Sequence, residues 1–163
     1  MADIAKLARE LGAALSRQGW MATTAESCTG GGVSMAITEI AGSSAWFDRA
    51  FVTYSNEAKQ QMLGVAEATL AEHGAVSEPV AAQMATGALA HSAAAISVSV
   101  SGIAGPGGGS VLKPIGTVCF AWADQTGWLA TETCHFAGDR QAVRTRAVEK
   151  ALTGLLQRLQ QLN

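Results

Sequence analysis

The chain has 163 residues, of which 48% are hydrophobic and 15% are charged, and its formal net charge is −2. This composition is typical of a globular protein and excludes a disordered chain, and the length suits one domain over residues 1–163. The small net charge excludes a general attraction to nucleic acid or to an anionic membrane, so a bound phosphate would need a local site.

Helical and extended patterns alternate along the chain. Apolar residues at intervals of three and four indicate helices, and short apolar runs between turn residues indicate strands. The predicted elements of the first half are a helix from Asp3 to Gly19, a strand over 21–25, a helix over 33–40, a strand over 47–54, a short helix over 56–63 and a helical turn or two over 67–73. The second half has a helix capped by Ser77, strands over 96–100, 116–122 and 128–136, and a long helix capped by Asp139.

This order of elements predicts an α/β fold. Helices alternate with strands for most of the chain, and a short turn joins the last two strands, so we expect a three-layer α/β/α sandwich with a mixed, mostly parallel sheet. The charged residues spread through segment 1–20 exclude a signal peptide or a membrane span there. The cysteines, Cys28, Cys119 and Cys134, form no C-x-x-C pair, which favours a reducing compartment and a cytoplasmic location.

Two loops of small polar residues and glycine each follow a predicted strand, over 25–31 and 101–109. In open α/β sheets, ligands bind where such loops meet beyond the strand ends. Neither loop matches a Walker A motif or G-x-G-x-x-G. The first loop leads into a helix, so the N–H groups after Thr29 are candidate donors to an oxyanion.

Ser27, in the first loop, is a candidate nucleophile without a usual partner. It lacks the G-x-S-x-G and S-x-x-K patterns, and no histidine forms an obvious triad with it. The histidines also lack metal-ligand spacing, so neither a metal nor another cofactor is expected. A serine nucleophile would therefore need a lysine or tyrosine base, and Tyr54 and Lys59 offer both. On this segment alone, Lys59 could equally be a solvated helix lysine.

Six segments in order resemble the motifs of the CinA C-terminal family. They are residues 25–31 (AESCTGG), 52–59 (VTYSNEAK), 73–77 (HGAVS), 102–109 (GIAGPGGG), 113–118 (KPIGTV) and 138–140 (GDR). The resemblance extends from about residue 20 to 150 and implies that the chain is a stand-alone member. Such members are nicotinamide mononucleotide amidohydrolases of the pyridine-nucleotide cycle, which release nicotinic acid mononucleotide and ammonia.

Two positions depart from the family pattern. Ser101 replaces a threonine found in many relatives, but the hydroxyl and its hydrogen-bonding capacity remain. Residues 110–112 (SVL) stand where relatives often have two acidic residues, so the loop loses negative charge and any metal-assisting role there is in doubt.

The resemblance and the residue chemistry together assign the expected roles. Ser27 is expected to be the nucleophile, with Thr29 or a directly activated water as alternatives, and Lys59 the base. Tyr54 would orient Lys59 or donate to the amide, and Ser101 would contribute a hydroxyl. The expected substrate-binding residues are Gly30, Gly31, Asn56, Gly102, Gly105, Gly107, Gly108, Arg140 and Arg144. Arg140 or Arg144 would supply the charge that binds the 5′-phosphate of nicotinamide mononucleotide. A homodimer is also expected.

Two other interpretations remain open on the sequence. Cys28, with Glu26 or Lys59 as a partner, could make the chain a cysteine-dependent amidase. The same loops could also hold a nucleotide in a binding or regulatory domain that does not turn it over.

Overall fold

The computed structural model describes residues 3–163 and contains every helix and strand that the sequence predicts. The helices are α1 (Ile4–Gln18), α2 (Gly32–Thr38), α3 (Asn56–Leu63), α4 (Glu67–His73), α5 (Glu78–Ala90) and α6 (Arg140–Gln161). The strands are β1 (Ala22–Glu26), β2 (Phe47–Val52), β3 (Ile96–Gly102), β4 (Thr117–Asp124) and β5 (Leu129–His135). A 3₁₀ turn, Ser43–Ala45, follows α2, which ends earlier than its apolar pattern suggested.

The strands form one sheet in the order β2-β1-β3-β4-β5. Strand β1 is parallel to both β2 and β3, whereas β4 is antiparallel to β3 and β5. Four of the five strands therefore run in the same direction, although the pairings are divided equally between parallel and antiparallel. The expected mixed sheet is confirmed, and β4 is the strand that reverses.

Helices cover both faces of the sheet, which confirms the three-layer sandwich. On one face, α1, α2 and α6 pack on the large side chains of β3 and β4 around a core that includes Phe120 and Leu155. The indole of Trp122 lies in the same core and donates to the carbonyl of Ala151 in α6 at 3.1 Å. On the other face, α5 packs on small residues of β1 and β4, together with Leu63 of α3 and Leu70 of α4.

The serines that alternate with apolar residues in β3 are buried rather than exposed to solvent. Ser97 donates to the carbonyl of Ala85 at 2.8 Å, and Ser99 donates to Ala81 at 2.6 Å. Both carbonyls belong to α5, so each hydroxyl is satisfied by the helix that covers it. These small side chains let α5 approach the sheet closely.

The topology places the two glycine-rich loops side by side. Strands β1 and β3 are adjacent and parallel, with Glu26 opposite Val100. Their carboxyl ends therefore lie at one edge of the sheet, and the chain that leaves each strand enters one of the two loops. This edge is the usual position of a ligand site in an open α/β sheet.

Candidate active site

A cavity of about 290 Å³ lies between the two loops at this edge of the sheet. Most of the residues that the sequence predicts for the site line this cavity. Those that line it are Ser27, Tyr54, Asn56, Lys59, Ser101, Gly102, Gly105, Gly107, Gly108 and Arg140. Four other predicted residues, Thr29, Gly30, Gly31 and Arg144, lie outside its lining.

Ser27 is fixed in a tight turn directly after β1. Its N–H donates to the carbonyl of Val100 at 2.9 Å, and its own carbonyl accepts from the N–H of Gly30 at 3.0 Å. The side chain is almost buried, with 8% of the residue exposed, and it faces the cavity. The backbone of the candidate nucleophile is therefore held by both the neighbouring strand and its own loop.

Lys59 approaches Ser27 from helix α3. Ser55 caps this helix by accepting from the N–H of Ala58 at 3.0 Å. The Nζ atom of Lys59 lies 3.1 Å from Ser27 Oγ and 3.0 Å from the carbonyl oxygen of Thr53. Only 1% of Lys59 is exposed, so it is not a solvated helix lysine.

The electrostatic surroundings of Lys59 favour its neutral form. Burial lowers the pKa of Lys59, because desolvation penalises the ammonium. No carboxylate forms an ion pair with it within residues 3–163. A charged Lys59 donates to Ser27 Oγ, whereas a neutral Lys59 can accept the proton of Ser27 at the same distance.

Basic side chains line the cavity wall. Lys59 and Arg140 line it, and no aspartate or glutamate does so in the described part of the chain. Arg140 donates from Nη1 to the carbonyl of Gly105 at 2.9 Å and from Nη2 to the hydroxyl of Tyr54 at 3.1 Å. The wall is therefore suited to an anionic ligand.

Tyr54 lies at the mouth of the cavity, with 62% of the residue exposed. Its phenol contacts Arg140, and only its backbone carbonyl lies near Lys59 Nζ, at 3.5 Å. The phenol therefore does not orient Lys59 in this structure, and it is available to a ligand that enters the cavity.

The glycine loop, defined as residues 102–109, offers unpaired backbone donors. The N–H groups of Ala104, Gly105, Gly107 and Gly108 have no hydrogen-bond partner within residues 3–163. Gly105 and Gly108 have φ values of 84° and 90°, which favour glycine at these positions. Successive free N–H groups of this kind form concave sites for anions. The hydroxyl of Ser101, just before the loop, donates to the carbonyl of Ala75 at 2.8 Å.

The predicted residues outside the cavity shape the nucleophile loop, defined as residues 27–31. Thr29 donates its hydroxyl to Glu26 Oε1 at 2.6 Å. Gly30 and Gly31 have φ values of 58° and 99° and turn the chain into α2. Arg144 donates from Nε to the carbonyl of Cys28 at 3.0 Å and from Nη2 to that of Thr29 at 3.3 Å. Its guanidinium therefore binds the loop itself.

Glu26, which the sequence analysis considered only as a partner of Cys28, has a different role in the structure. It is fully buried, and its carboxylate accepts from the N–H groups of Val33 and Ser34 at 2.9 and 3.0 Å. The expectation that the first N–H groups of α2 stabilise an oxyanion is therefore wrong. The N–H of Cys28, which follows Ser27, donates to no other residue among those described and takes their place as a candidate donor. An acidic residue at the end of a buried strand was the available signal.

Cys28 also borders the cavity, but its chemistry is unfavourable for a nucleophile. Burial raises the pKa of its thiol to about 11. The thiol is therefore protonated near neutral pH, whereas the thiolate is the reactive form. Cys28 packs in the larger hydrophobic core, and the structure thus favours Ser27 over Cys28.

Metal-binding clusters and membrane-spanning helices are both absent from the described residues. Residues 3–163 contain no group of three or more His, Cys, Asp or Glu side chains that could hold a metal ion. Over the same range, no helix has the length and apolar character needed to cross a membrane.

Comparison with known proteins gives consistent matches over the whole fold. The family model described as the CinA C-terminal domain matches residues 4–159. "Nicotinamide-nucleotide amidohydrolase PncC" of Escherichia coli K12 is 57% identical over 159 residues, covering 98% of this chain and 96% of that protein. The protein of the same name from Pseudomonas putida is 52% identical over 157 residues, covering 96% and 98%. The crystal structure of competence/damage inducible protein CihA from Agrobacterium tumefaciens matches with a TM-score of 0.94 and 48% identity, covering 96% and 95%.

Proposed function

The chain belongs to the CinA C-terminal domain family, and we propose that it is a nicotinamide-nucleotide amidohydrolase. It converts nicotinamide mononucleotide and water to nicotinic acid mononucleotide and ammonia. The observation that carries this proposal is the buried contact of 3.1 Å between Ser27 Oγ and Lys59 Nζ, in a cavity that Arg140 also lines and that no aspartate or glutamate of residues 3–163 lines. The names of its relatives from Escherichia coli and Pseudomonas putida agree with this activity.

Ser27 acts as the nucleophile and Lys59 as its base. Neutral Lys59 takes the hydroxyl proton as Ser27 Oγ forms a bond to the carboxamide carbon, and the carbonyl oxygen becomes an oxyanion. The N–H of Cys28 is next to the nucleophile, which is the position of one oxyanion donor in serine hydrolases with a strand-turn-helix nucleophile. The pyridinium ring of the substrate withdraws electrons and lowers the barrier to attack.

Lys59 then supplies the proton that the leaving group needs. Protonated Lys59 donates to the departing nitrogen, the C–N bond breaks, and ammonia leaves an ester between Ser27 and the nicotinoyl group. Water attacks this ester and gives a proton to Lys59. The C–O bond to Ser27 breaks, Ser27 regains its proton, and nicotinic acid mononucleotide is released. Lys59 is neutral again at the end of the cycle.

The 5′-phosphate binds to Arg140 and the glycine loop. The residues of this loop that have free N–H groups line the cavity together with Arg140, whose guanidinium contacts the carbonyl of Gly105 at 2.9 Å. Both a guanidinium and a group of free backbone N–H donors are well suited to phosphate oxygens. Asn56, exposed at the start of α3, contributes an amide for the ribose hydroxyls.

The cellular setting follows from the same chemistry. All three cysteines are free thiols, which agrees with a reducing compartment such as the cytoplasm.

A homodimer is part of this proposal, and the exposed apolar side chains Met35, Val111 and Leu112 offer surface for an interface. Light scattering of the purified protein across a concentration series tests that assembly.

The activity is tested with a panel of four amides at equal concentration: nicotinamide mononucleotide, nicotinamide riboside, free nicotinamide and NAD. Ammonia release is the measured quantity. We expect the mononucleotide to be deamidated fastest, because it alone combines the amide with a terminal 5′-phosphate. Equal rates on the mononucleotide and on free nicotinamide would contradict the assignment of the phosphate site.

A further inference from the structure

A fully buried carboxylate lies directly before the nucleophile. Glu26 is 0% exposed and forms no ion pair within residues 3–163. It accepts four hydrogen bonds, from Thr24 Oγ1 at 3.1 Å, Thr29 Oγ1 at 2.6 Å, Val33 N at 2.9 Å and Ser34 N at 3.0 Å. Burial of an isolated carboxylate is costly, and these donors compensate for the lost hydration. One side chain thus ties together the middle of the nucleophile loop and the start of α2.

The backbone of Glu26 connects the nucleophile to its base. The carbonyl of Glu26 accepts from the N–H of Thr53 at 2.8 Å. The carbonyl of Thr53 in turn accepts from Lys59 Nζ at 3.0 Å. Glu26 is therefore linked to Ser27 by a peptide bond and to Lys59 by two hydrogen bonds through the backbone of Thr53.

A second charged group holds the loop from its outer side. Arg144, on α6, donates to the carbonyls of Cys28 and Thr29 at 3.0 and 3.3 Å. Neither Glu26 nor Arg144 lines the cavity, so neither is placed to touch a substrate there. Their contacts are with the loop that carries the nucleophile.

We propose that Glu26 is a positioning residue of the deamidase. Together with Arg144, it holds the nucleophile loop so that Ser27 Oγ and the N–H of Cys28 keep their positions relative to Lys59. This inference rests on the proposed function. An error of about 1 Å in the position of reacting groups can cost about a hundredfold in rate. Substrate binding depends on the other wall of the cavity, so loss of this clamp lowers kcat and leaves KM nearly unchanged.

The test compares Glu26→Gln, Thr29→Val and Thr29→Ser with the wild type. Glu26→Gln removes the charge and places an amide NH₂ against a donor. Thr29→Val removes the hydrogen bond of 2.6 Å to Glu26 with little change of shape, and Thr29→Ser restores it. We expect kcat to fall at least about thirtyfold in Glu26→Gln and about tenfold in Thr29→Val, with KM within about threefold and near-normal kcat in Thr29→Ser.

Binding of the product separates positioning from unfolding. Titration calorimetry with nicotinic acid mononucleotide should give one site per chain and an unchanged Kd in each variant. Thr126→Val is the matched control, because it also removes a hydroxyl–carboxylate hydrogen bond of 2.6 Å, here to Asp124. Asp124 pairs with Ile96 at the start of β3, whereas the cavity lies at the carboxyl end of that strand, so this variant should keep wild-type kcat.

Three outcomes would overturn the inference. They are a kcat within about threefold of wild type in Thr29→Val, a kcat loss in Thr29→Ser equal to that in Thr29→Val, or a kcat loss matched by fewer binding sites per chain. The Thr29 variants decide the question if Glu26→Gln does not fold. An inactive wild type would instead contradict the proposed function, so the two failures are distinguishable.

Discussion

The amine of Lys59 and the hydroxyl of Ser27 lie 3.1 Å apart in the folded chain, although 32 positions separate them in the sequence. Ser27 directly follows strand β1, Lys59 lies on helix α3, and both side chains are nearly excluded from solvent. Because burial lowers the pKa of Lys59, we propose this pair as a nucleophile and a base that need no histidine.

Lys59→Arg should reduce kcat by several orders of magnitude. Arginine keeps the positive charge and cannot lose its proton near neutral pH, so it cannot accept the proton of Ser27. In the wild type, kcat should rise with pH as Lys59 is deprotonated, through an apparent pKa below the ordinary value of 10.5. Steady-state rates from pH 6 to 10 provide the measurement.

A Lys59→Arg variant that keeps more than about a tenth of the wild-type kcat would contradict this role. That remaining rate corresponds to a deficit of only about 1.4 kcal/mol in transition-state stabilisation. Lys59 would then be an electrostatic aid, and another group would act as the base.

Cys28→Ala should retain most of the activity, with kcat within about threefold of wild type, a deficit below about 0.7 kcal/mol. The thiol is buried and its pKa is raised to about 11, so the thiolate is scarce at neutral pH. Iodoacetamide should also modify the native protein slowly at Cys28, as judged by mass spectrometry of the peptide. Loss of activity in Cys28→Ala, with the fold intact, would instead support a cysteine-dependent amidase.

Arg140→Ala should raise the KM for nicotinamide mononucleotide about ten- to a hundredfold, since a charge-assisted hydrogen bond contributes about 1.5–3 kcal/mol. The activity on the riboside, which has no phosphate, should change little. Arg146→Ala is the matched control, because this arginine lies on the same helix and does not line the cavity. Equal effects of Arg140→Ala on both substrates would mean that Arg140 supports the loop rather than the phosphate.

Tyr54→Phe tests whether the phenol acts in substrate binding or in the chemical step. Loss of its contact with Arg140 Nη2 should raise KM about two- to tenfold, with kcat nearly unchanged. A kcat lower by two orders of magnitude would place the phenol in the chemistry, against the geometry of this structure.

Gly87→Ala should destabilise the protein and lower its activity. A Cβ atom at position 87 of α5 would clash with the carbonyl oxygen of Leu63, the last residue of the helix that carries Lys59. Overpacking of this kind costs about 1–3 kcal/mol. Urea unfolding measures the loss, and Thr86→Ala, on the exposed side of α5, should stay within about 0.5 kcal/mol of wild type. A Gly87→Ala variant as stable and active as Thr86→Ala would be contrary to this packing.

Local signals made most of the fold predictable. Asp3, Ser77 and Asp139 each cap a helix through a backbone N–H, as expected from their position before an apolar pattern. Helix α3 has the predicted bounds, Asn56–Leu63. The burial of the β3 serines was not predictable, because an alternating strand is typical of one solvated face and only the packing of α5 covers it here.

The sequence predicted which residues form the site better than it predicted the directions of their side chains. Family motifs brought Ser27, Lys59 and Arg140 together, and the parallel pairing of β1 and β3 explains why the two loops meet. The directions of individual side chains depend on tertiary contacts. Thr29 and Arg144 were therefore expected to face the substrate, whereas their polar atoms bind Glu26 and the nucleophile loop.

The most direct test of the account is the incubation of purified protein with nicotinamide mononucleotide, with Ser27→Ala in parallel. Ammonia is measured enzymatically and nicotinic acid mononucleotide by chromatography. We predict equimolar amounts of both products from the wild type and none above background from Ser27→Ala. The account would be contradicted by a wild type that releases no ammonia, or by a folded Ser27→Ala protein that releases it at the wild-type rate.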